Sequence, residues 1–324
     1  MGDVAMTVPV LSAFSNAHPK VTLTVLTKKK FAPLFRDLKM VTVISADFNT
    51  THKGVLGLYR LSKLLRNTQV EAVADLHNVL RTKILKFFLS GIKFHQIDKG
   101  RFEKKALITG KTKTPLRTTT QRYADVFRSL GFEFEIDSPS FPAPKQLDTA
   151  ITKELGAFSN SVIGVAPFAA YASKTYSISK MDQVISKLQK ESKVVLFGGG
   201  ANETKQLEAI ASKYSNVFCV AGKFSLEQEL DIISNLKVML SMDSSNGHMA
   251  AMFGVNVVTL WGVTHPSAGF APFHQKETNN ILSDQDKYPK IPTSIYGNRY
   301  PEGYEFAMQT ITVETVVKTV QETL

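Results

Sequence analysis

The chain has 324 residues, 43% hydrophobic and 21% charged, which suits a folded protein of two ordinary-sized domains and excludes one dominated by disorder. Its net charge of +11 falls on one half, because residues 1–145 hold 24 Lys or Arg against 11 Asp or Glu and leave about −2 for the remainder. One cysteine, Cys219, lies in the apolar run 216–221, so a disulfide framework or a cysteine metal site within one chain is excluded, as suits a reducing cytosol.

The longest apolar stretches, such as 84–92 with Lys86 and Gly91 inside it, fall short of the roughly 20 residues a spanning helix needs. No charged-then-apolar signal opens the chain, so a cytoplasmic protein that does not cross a membrane is expected.

In chain order, Gly2-Asp3-Val4 places an acid ahead of a helical run at 9–17, where Asp3 reads as an N-cap or as a general base. Strand-like runs at 21–26, 41–44, 70–75 and 94–97 alternate with helical periodicity at 56–67, 79–89 and 119–130. Basic residues crowd between Arg81 and Arg122. Such a face attracts nucleic acid, an anionic membrane surface or an anionic substrate, or is simply solvated. The proline-dense stretch 137–145 breaks both periodicities and reads as a linker, which sets a first domain at 1–145.

The second half repeats the alternation, with strands at 162–166, 194–197, 217–220, 238–241 and 257–260 and helices at 179–189, 204–213, 226–235 and 248–253. That order predicts a parallel doubly wound sheet with ligands at the carboxyl ends of its strands. From 278 to 304 the pattern dissolves into polar, Pro, Gly and Tyr residues. A second domain is placed at 146–310, and an amphipathic helix within 311–324 is expected to pack back on either domain.

Several motifs bear on chemistry. Gly198-Gly-Gly200 follows a strand, but Glu203 stands where a dinucleotide fingerprint needs its third glycine. Gly110-Lys111-Thr112 lacks the earlier glycine of a phosphate loop. Ser173, Lys174 and Thr175 fall at a strand's carboxyl end, where a lysine and two hydroxyls can hold a diphosphate without a metal; a solvent lysine is the bland reading. The stretch 240–266 runs from a strand through Asp243-Ser244-Ser245-Asn246-Gly247 into a short helix, Gly254 and a second strand. Unpaired N–H groups at such a helix start favour an anion such as pyrophosphate, and a plain capped helix is the alternative. The seven histidines lack ligand spacing, so no metal site is expected, and the absence of G-x-S-x-G lowers hydrolase readings.

Taken in order, Gly2-Asp3-Val4, the segment from Asp75 to Arg81, Lys174, Glu203, Asp243 to His248 and Trp261-Gly-Val-Thr264-His-Pro266 resemble glycosyltransferase family 9, the heptosyltransferases of lipopolysaccharide core assembly. The resemblance implies an α/β GT-B fold, two Rossmann-like doubly wound domains facing a central cleft, and inverting, metal-independent transfer. It implies Asp3 as the catalytic base and Ser173, Lys174, Thr175, Glu203, Asp243, Ser244, Ser245, Gly247, His248 and Thr264 as donor-binding residues in the second domain. His77 and Arg81 would serve the acceptor in the basic first domain. The expected donor is ADP-heptose, a co-substrate with no further cofactor; the expected acceptor is an anionic glycolipid of the lipid A core, met at the inner-membrane surface, and nucleic acid is not an expected partner.

Two departures accompany the resemblance. The glycine usually found after Asp-Ser/Thr is shifted here to Gly247, which weakens the heptose assignment, and an apolar strand that normally precedes Gly-Asp-Val is lacking. The N-terminal domain is therefore expected to miss its first strand, as in a truncated chain or one whose start is set too far downstream. A non-catalytic nucleotide-sugar or anionic-glycan binding protein of the same fold is the alternative; a Rossmann oxidoreductase is disfavoured by the broken fingerprint.

Overall fold

A computed structural model describes residues 1–158 and 161–324, and the chain divides into two compact units. The first is built from residues 3–100 and 117–140, the second from 101–116 and 141–324.

The chain opens with α1 (Gly2–Ala5) and α2 (Thr7–Ala17), followed by β1 (Leu23–Lys28), β2 (Val41–Ala46), α3 (Gly54–Asn67), β3 (Ala72–Asp75), α4 (Leu80–Phe88) and β4 (Lys93–Gln96). Helix α5 (Arg101–Ile108), which hydrophobic periodicity did not predict, falls in the second unit, and α6 (Thr119–Ser129) returns to the first. Thr118 starts α6 by accepting the Gln121 N–H at 3.2 Å. Phe14 of α2 packs against Phe127, Phe132 and Phe134 at centroid distances of 4.7, 5.3 and 5.5 Å, while Ala46, Leu58, Leu61 and Leu85 join β2, α3 and α4 in a small core.

The sheet of this unit, expected to lack a strand, is two separate parallel pairs, β1 with β2 and β3 with β4. Among the described residues, β1 and β3 each pair along one edge only, so no strand joins the pairs into one sheet. Their side chains are correspondingly half-exposed along most of each strand.

The second unit continues with α7 (Thr149–Leu155), β5 (Val162–Ala166), α8 (Ile178–Leu188), β6 (Lys193–Leu196), α9 (Ala201–Ala211), β7 (Val217–Cys219), α10 (Leu226–Ser234), β8 (Val238–Met242), α11 (Ser245–Ala251), β9 (Asn256–Trp261), β10 (Asn280–Leu282) and α12 (Val313–Thr323). Its six strands form one wholly parallel sheet in the order β10-β9-β8-β5-β6-β7. Every residue of β5 and β8 is buried, as continuous apolar runs covered on both faces should be. The period of two sorts those residues: Ile163, Val165, Leu240 and Val258 face α8 and α12, whereas a β-carbon on Gly164 would press on Leu236 and Met239 on the opposite face. Helix α12 therefore belongs to the second unit, with Val316 and Val320 buried in its core. Strand β10 lies in the segment whose sequence pattern had dissolved. Cys219 is buried in β7.

Candidate functional site

The strand order of the second unit reverses between β5 and β8, the place where a doubly wound sheet opens a crevice at its carboxyl ends. Lys174 follows β5 in a short turn (Ala172–Lys174), and Asp243 follows β8 directly. The Lys174 Nζ donates to the Asp243 carbonyl at 2.8 Å and to Asp243 Oδ2 at 2.9 Å. Thr264, just past β9, donates its hydroxyl to the same Oδ2 at 3.0 Å. Both charged side chains are 11% exposed, so their attraction acts in a poorly solvated setting. An ammonium has three N–H donors, and Asp243 occupies two of them.

Two glycines seat this lysine. A β-carbon on Gly262 would collide with the Ser173 carbonyl, and one on Gly297 would lie 2.7 Å from Lys174 Cγ and 2.8 Å from its Cδ. Gly297 also has φ +80°, a backbone that L side chains rarely adopt. Its carbonyl accepts the hydroxyl of buried Ser173, and Thr293 N–H donates to the Val263 carbonyl at 3.0 Å, tying the 283–303 loop to the crevice. No motif pointed to Gly297; the signal available was a glycine in a stretch without periodicity.

Around this cluster the other expected donor residues divide. Ser244 is the N-cap position of α11, but its side chain makes no cap hydrogen bond, and its Oγ is buried without a hydrogen-bond partner among the described residues. Ser245 opens the helix, which starts three residues ahead of the 248–253 expectation. His248 is buried within it. Gly247 faces the sheet: a β-carbon there would meet Ser241 Oγ at 2.6 Å and Val257 Cγ1 at 3.3 Å, so the glycine lets α11 sit close on β8 and β9. Thr175 spends its hydroxyl on the Tyr171 carbonyl at 3.1 Å. Glu203 lies in the first turn of α9, where its Oε2 accepts the Gly199 N–H at 2.8 Å and closes the triple-glycine turn that follows β6.

In the first unit Asp3 lies inside α1, so it is not the N-cap of the following helix; α2 starts at Thr7, whose hydroxyl donates to the Val4 carbonyl at 2.7 Å. The Asp3 side chain is exposed, while its carbonyl accepts the Tyr123 hydroxyl at 3.3 Å. Burial, then the Asp3 charge, raises the Tyr123 phenol above its ordinary range. Asp75, not singled out for a role of its own, shapes the segment that carries His77: its Oδ1 accepts the N–H groups of His77 and Asn78, each at 2.9 Å. Burial, then the Lys99 ammonium, lowers the His77 pKa against the opposing pull of Asp3 and Asp75. His77 and Arg81 line one cavity of about 690 Å³ with Lys28, His52, Phe48 and Leu80, and the Arg81 guanidinium lies 4.3 Å from the Phe48 ring centre. The lining is cationic and apolar together.

A family model for glycosyltransferase family 9 (heptosyltransferase) matches residues 58–297. The chain belongs to glycosyltransferase family 9. This family 9 protein is 25% identical over 297 residues to lipopolysaccharide core heptosyltransferase OpsX of Haemophilus influenzae, covering 87% of its own chain and 81% of that one. Among solved structures it is similar to a family 9 glycosyl transferase from Veillonella parvula, with a TM-score of 0.77 at 18% identity and coverage of 100% and 94%. It is also similar to Escherichia coli heptosyltransferase WaaC with ADP-2-deoxy-2-fluoro heptose, with a TM-score of 0.67 at 18% identity and coverage of 100% and 97%.

Its fold is accordingly GT-B, and this family 9 protein is a glycosyltransferase. The matched region takes in His77, Arg81, Lys174 and Asp243 and ends at Gly297, whereas Asp3 lies ahead of it. No helix among the described residues is long and apolar enough to cross a membrane, and none of their His, Cys, Asp and Glu side chains gather in threes suited to a metal ion.

Proposed function

We propose that this glycosyltransferase moves heptose from ADP-heptose to a sugar of the lipopolysaccharide core, with inversion and with no metal or other cofactor. The observation that carries the reading is Lys174, held on Asp243 at the switch point of the second unit with one N–H left for a diphosphate oxygen. The second unit then takes the donor, with Ser244, Ser245, His248 and Thr264 around the diphosphate and Ser173, Thr175, Glu203 and Gly247 shaping the crevice. Helix α11 has seven residues, so its dipole adds little beside the lysine charge. WaaC was solved with an ADP-heptose analogue, which favours adenine and heptose here.

The first unit takes the acceptor. The cavity lined by His77, Arg81, Lys28 and His52 suits the acidic sugars and phosphates of an anionic glycolipid, and the apolar part of the lining suits a lipid-linked molecule. Asp3 accepts the proton of the acceptor hydroxyl as that oxygen attacks the anomeric carbon. The anomeric carbon–oxygen bond to the diphosphate breaks in the same step, and ADP leaves with the electron pair, its charge stabilised by Lys174. One in-line displacement inverts the anomeric centre.

Incubation with ADP-heptose and a lipid A core acceptor is expected to release ADP and give product of inverted configuration by NMR, unaffected by a chelator. A thermal-shift panel of ADP, UDP, GDP and NAD is expected to show stabilisation by ADP alone, because a ligand bound to the folded state raises its melting point. Stabilisation by UDP or GDP without ADP removes the donor assignment, retained configuration removes the single displacement, and loss of turnover with chelator removes metal independence.

A further inference from the structure

Helices α3 and α4 lie side by side in the first unit. Tyr59 meets Phe88 at a centroid distance of 5.4 Å, and Arg66 donates to the Phe88 carbonyl at 3.0 Å and the Ser90 carbonyl at 2.9 Å. At their N-terminal ends Val55 and Leu80 line the same cavity as His77 and Arg81. Each helix turns a stripe inward through Leu58, Leu61 and Leu85.

The outward stripe is not that of a water-facing helix. Leu56, Leu80 and Phe87 are 75%, 75% and 77% exposed, and Val55 and Tyr59 are exposed beside them. The same helices carry the exposed cations Arg60 and Lys63 of α3 and Lys83 of α4, while Arg66 is held by the Phe88 and Ser90 carbonyls and Arg81 and Lys86 lie over the Phe48 and Phe94 rings. Residues 48–70 and 76–97 contain no Asp or Glu, so neither helix offers its cations an acid at i+3 or i+4. A solvated helix face pairs its charges, a protein interface is depleted in lysine, and a phosphate-binding face has no use for bare Leu and Phe. Bulky apolar side chains and unneutralised cations on the same helices suit one environment, the boundary between acyl chains and anionic headgroups.

We propose that the α3–α4 face docks on the surface of a bilayer containing anionic phospholipid, immersing Leu56 and Phe87 at the acyl boundary while Lys63 and Lys83 reach the headgroup phosphates. The cavity of His77 and Arg81, at the N-terminal ends of the same helices, is then presented at the lipid surface. Its use for a lipid-linked acceptor rests on the function proposed above; adsorption to lipid does not.

The test is sedimentation of the full chain with vesicles of phosphatidylcholine alone and with about one-third phosphatidylglycerol added. Binding to the anionic vesicles is expected to be about tenfold or more stronger and to weaken with salt. Leu56→Ser with Phe87→Ser, and separately Lys63→Glu with Lys83→Glu, are each expected to weaken it by about tenfold, with the thermal melt showing that both variants fold. Equal binding to the two vesicle types, or full binding by either folded variant, overturns the proposal. So does binding of poly(U) by parent and Leu56→Ser/Phe87→Ser alike with neither held by vesicles, which marks a nucleic-acid face. Because the assay needs no ADP-heptose and no turnover, its outcome is independent of the donor and transfer assays.

Discussion

The stem of Lys174 passes so close to Gly297 that a β-carbon at 297 would sit 2.7 Å from its Cγ. A loop distant in sequence thereby sets where the ammonium points. Gly297→Ala adds this collision to the strain of φ +80° and is expected to cost about 1–3 kcal/mol of stability while weakening ADP binding. Thermal melting and calorimetric titration of ADP check both effects; parent-like values in both would mean that the loop yields and does not position the lysine.

Asp243 holds Lys174 with two acceptors and takes the Thr264 hydroxyl as well. Removing one member of a poorly solvated pair leaves the other charge uncompensated, so Lys174→Met and Asp243→Asn should each destabilise by about 2–4 kcal/mol. The double variant should lose less than the sum, by a coupling of about 1–3 kcal/mol in denaturant unfolding. Additive losses would show that the contact contributes little. Lys174→Met alone should also reduce ADP affinity.

If Asp3 takes the acceptor proton, Asp3→Asn keeps the shape of the carboxylate and removes its basicity. Turnover should fall by about a hundredfold or more while ADP affinity changes by less than about twofold. Retained turnover removes Asp3 from the reaction.

Glu229 gives a pH-dependent prediction. Burial raises its carboxyl in α10 to about 7 from about 4.5 in the unfolded chain. The folded state therefore holds the proton more tightly, and this contribution to stability is full below about pH 4.5 and lost as the pH rises through about 7. Glu229→Gln, which stays neutral, should be about 3 kcal/mol more stable than the parent at pH 8 and no more stable at pH 4. A difference that stays constant with pH would assign the effect to packing instead of ionisation.

The parts of the chain legible in sequence are those whose fold is dictated locally. Strands β5 and β8 are unbroken apolar runs because both faces are covered, and Asp243 and Lys174 could be placed because they follow such runs directly. Helix α5 was missed because its sequence is dominated by Lys, Arg and Glu; its segment is tied to the second unit by contacts remote in sequence, such as Leu116 N–H on the Ser267 carbonyl and Lys104 over the Phe270 ring. Gly297 was hidden for a similar reason, since only the folded loop brings it to Lys174. Gly247 carries a different lesson. Its shift within the motif looked like a change at the sugar, but the side that lacks a β-carbon faces Ser241 and Val257.

Open edges on β1 and β3, together with their half-exposed side chains, make the two units unequal in cooperativity. Amides of β5 and β8 are released to solvent only when the whole six-stranded sheet comes apart, whereas β1 and β3 can fray singly from one partner each. Hydrogen exchange should therefore run orders of magnitude faster in those two strands, and matching rates in all four would contradict this.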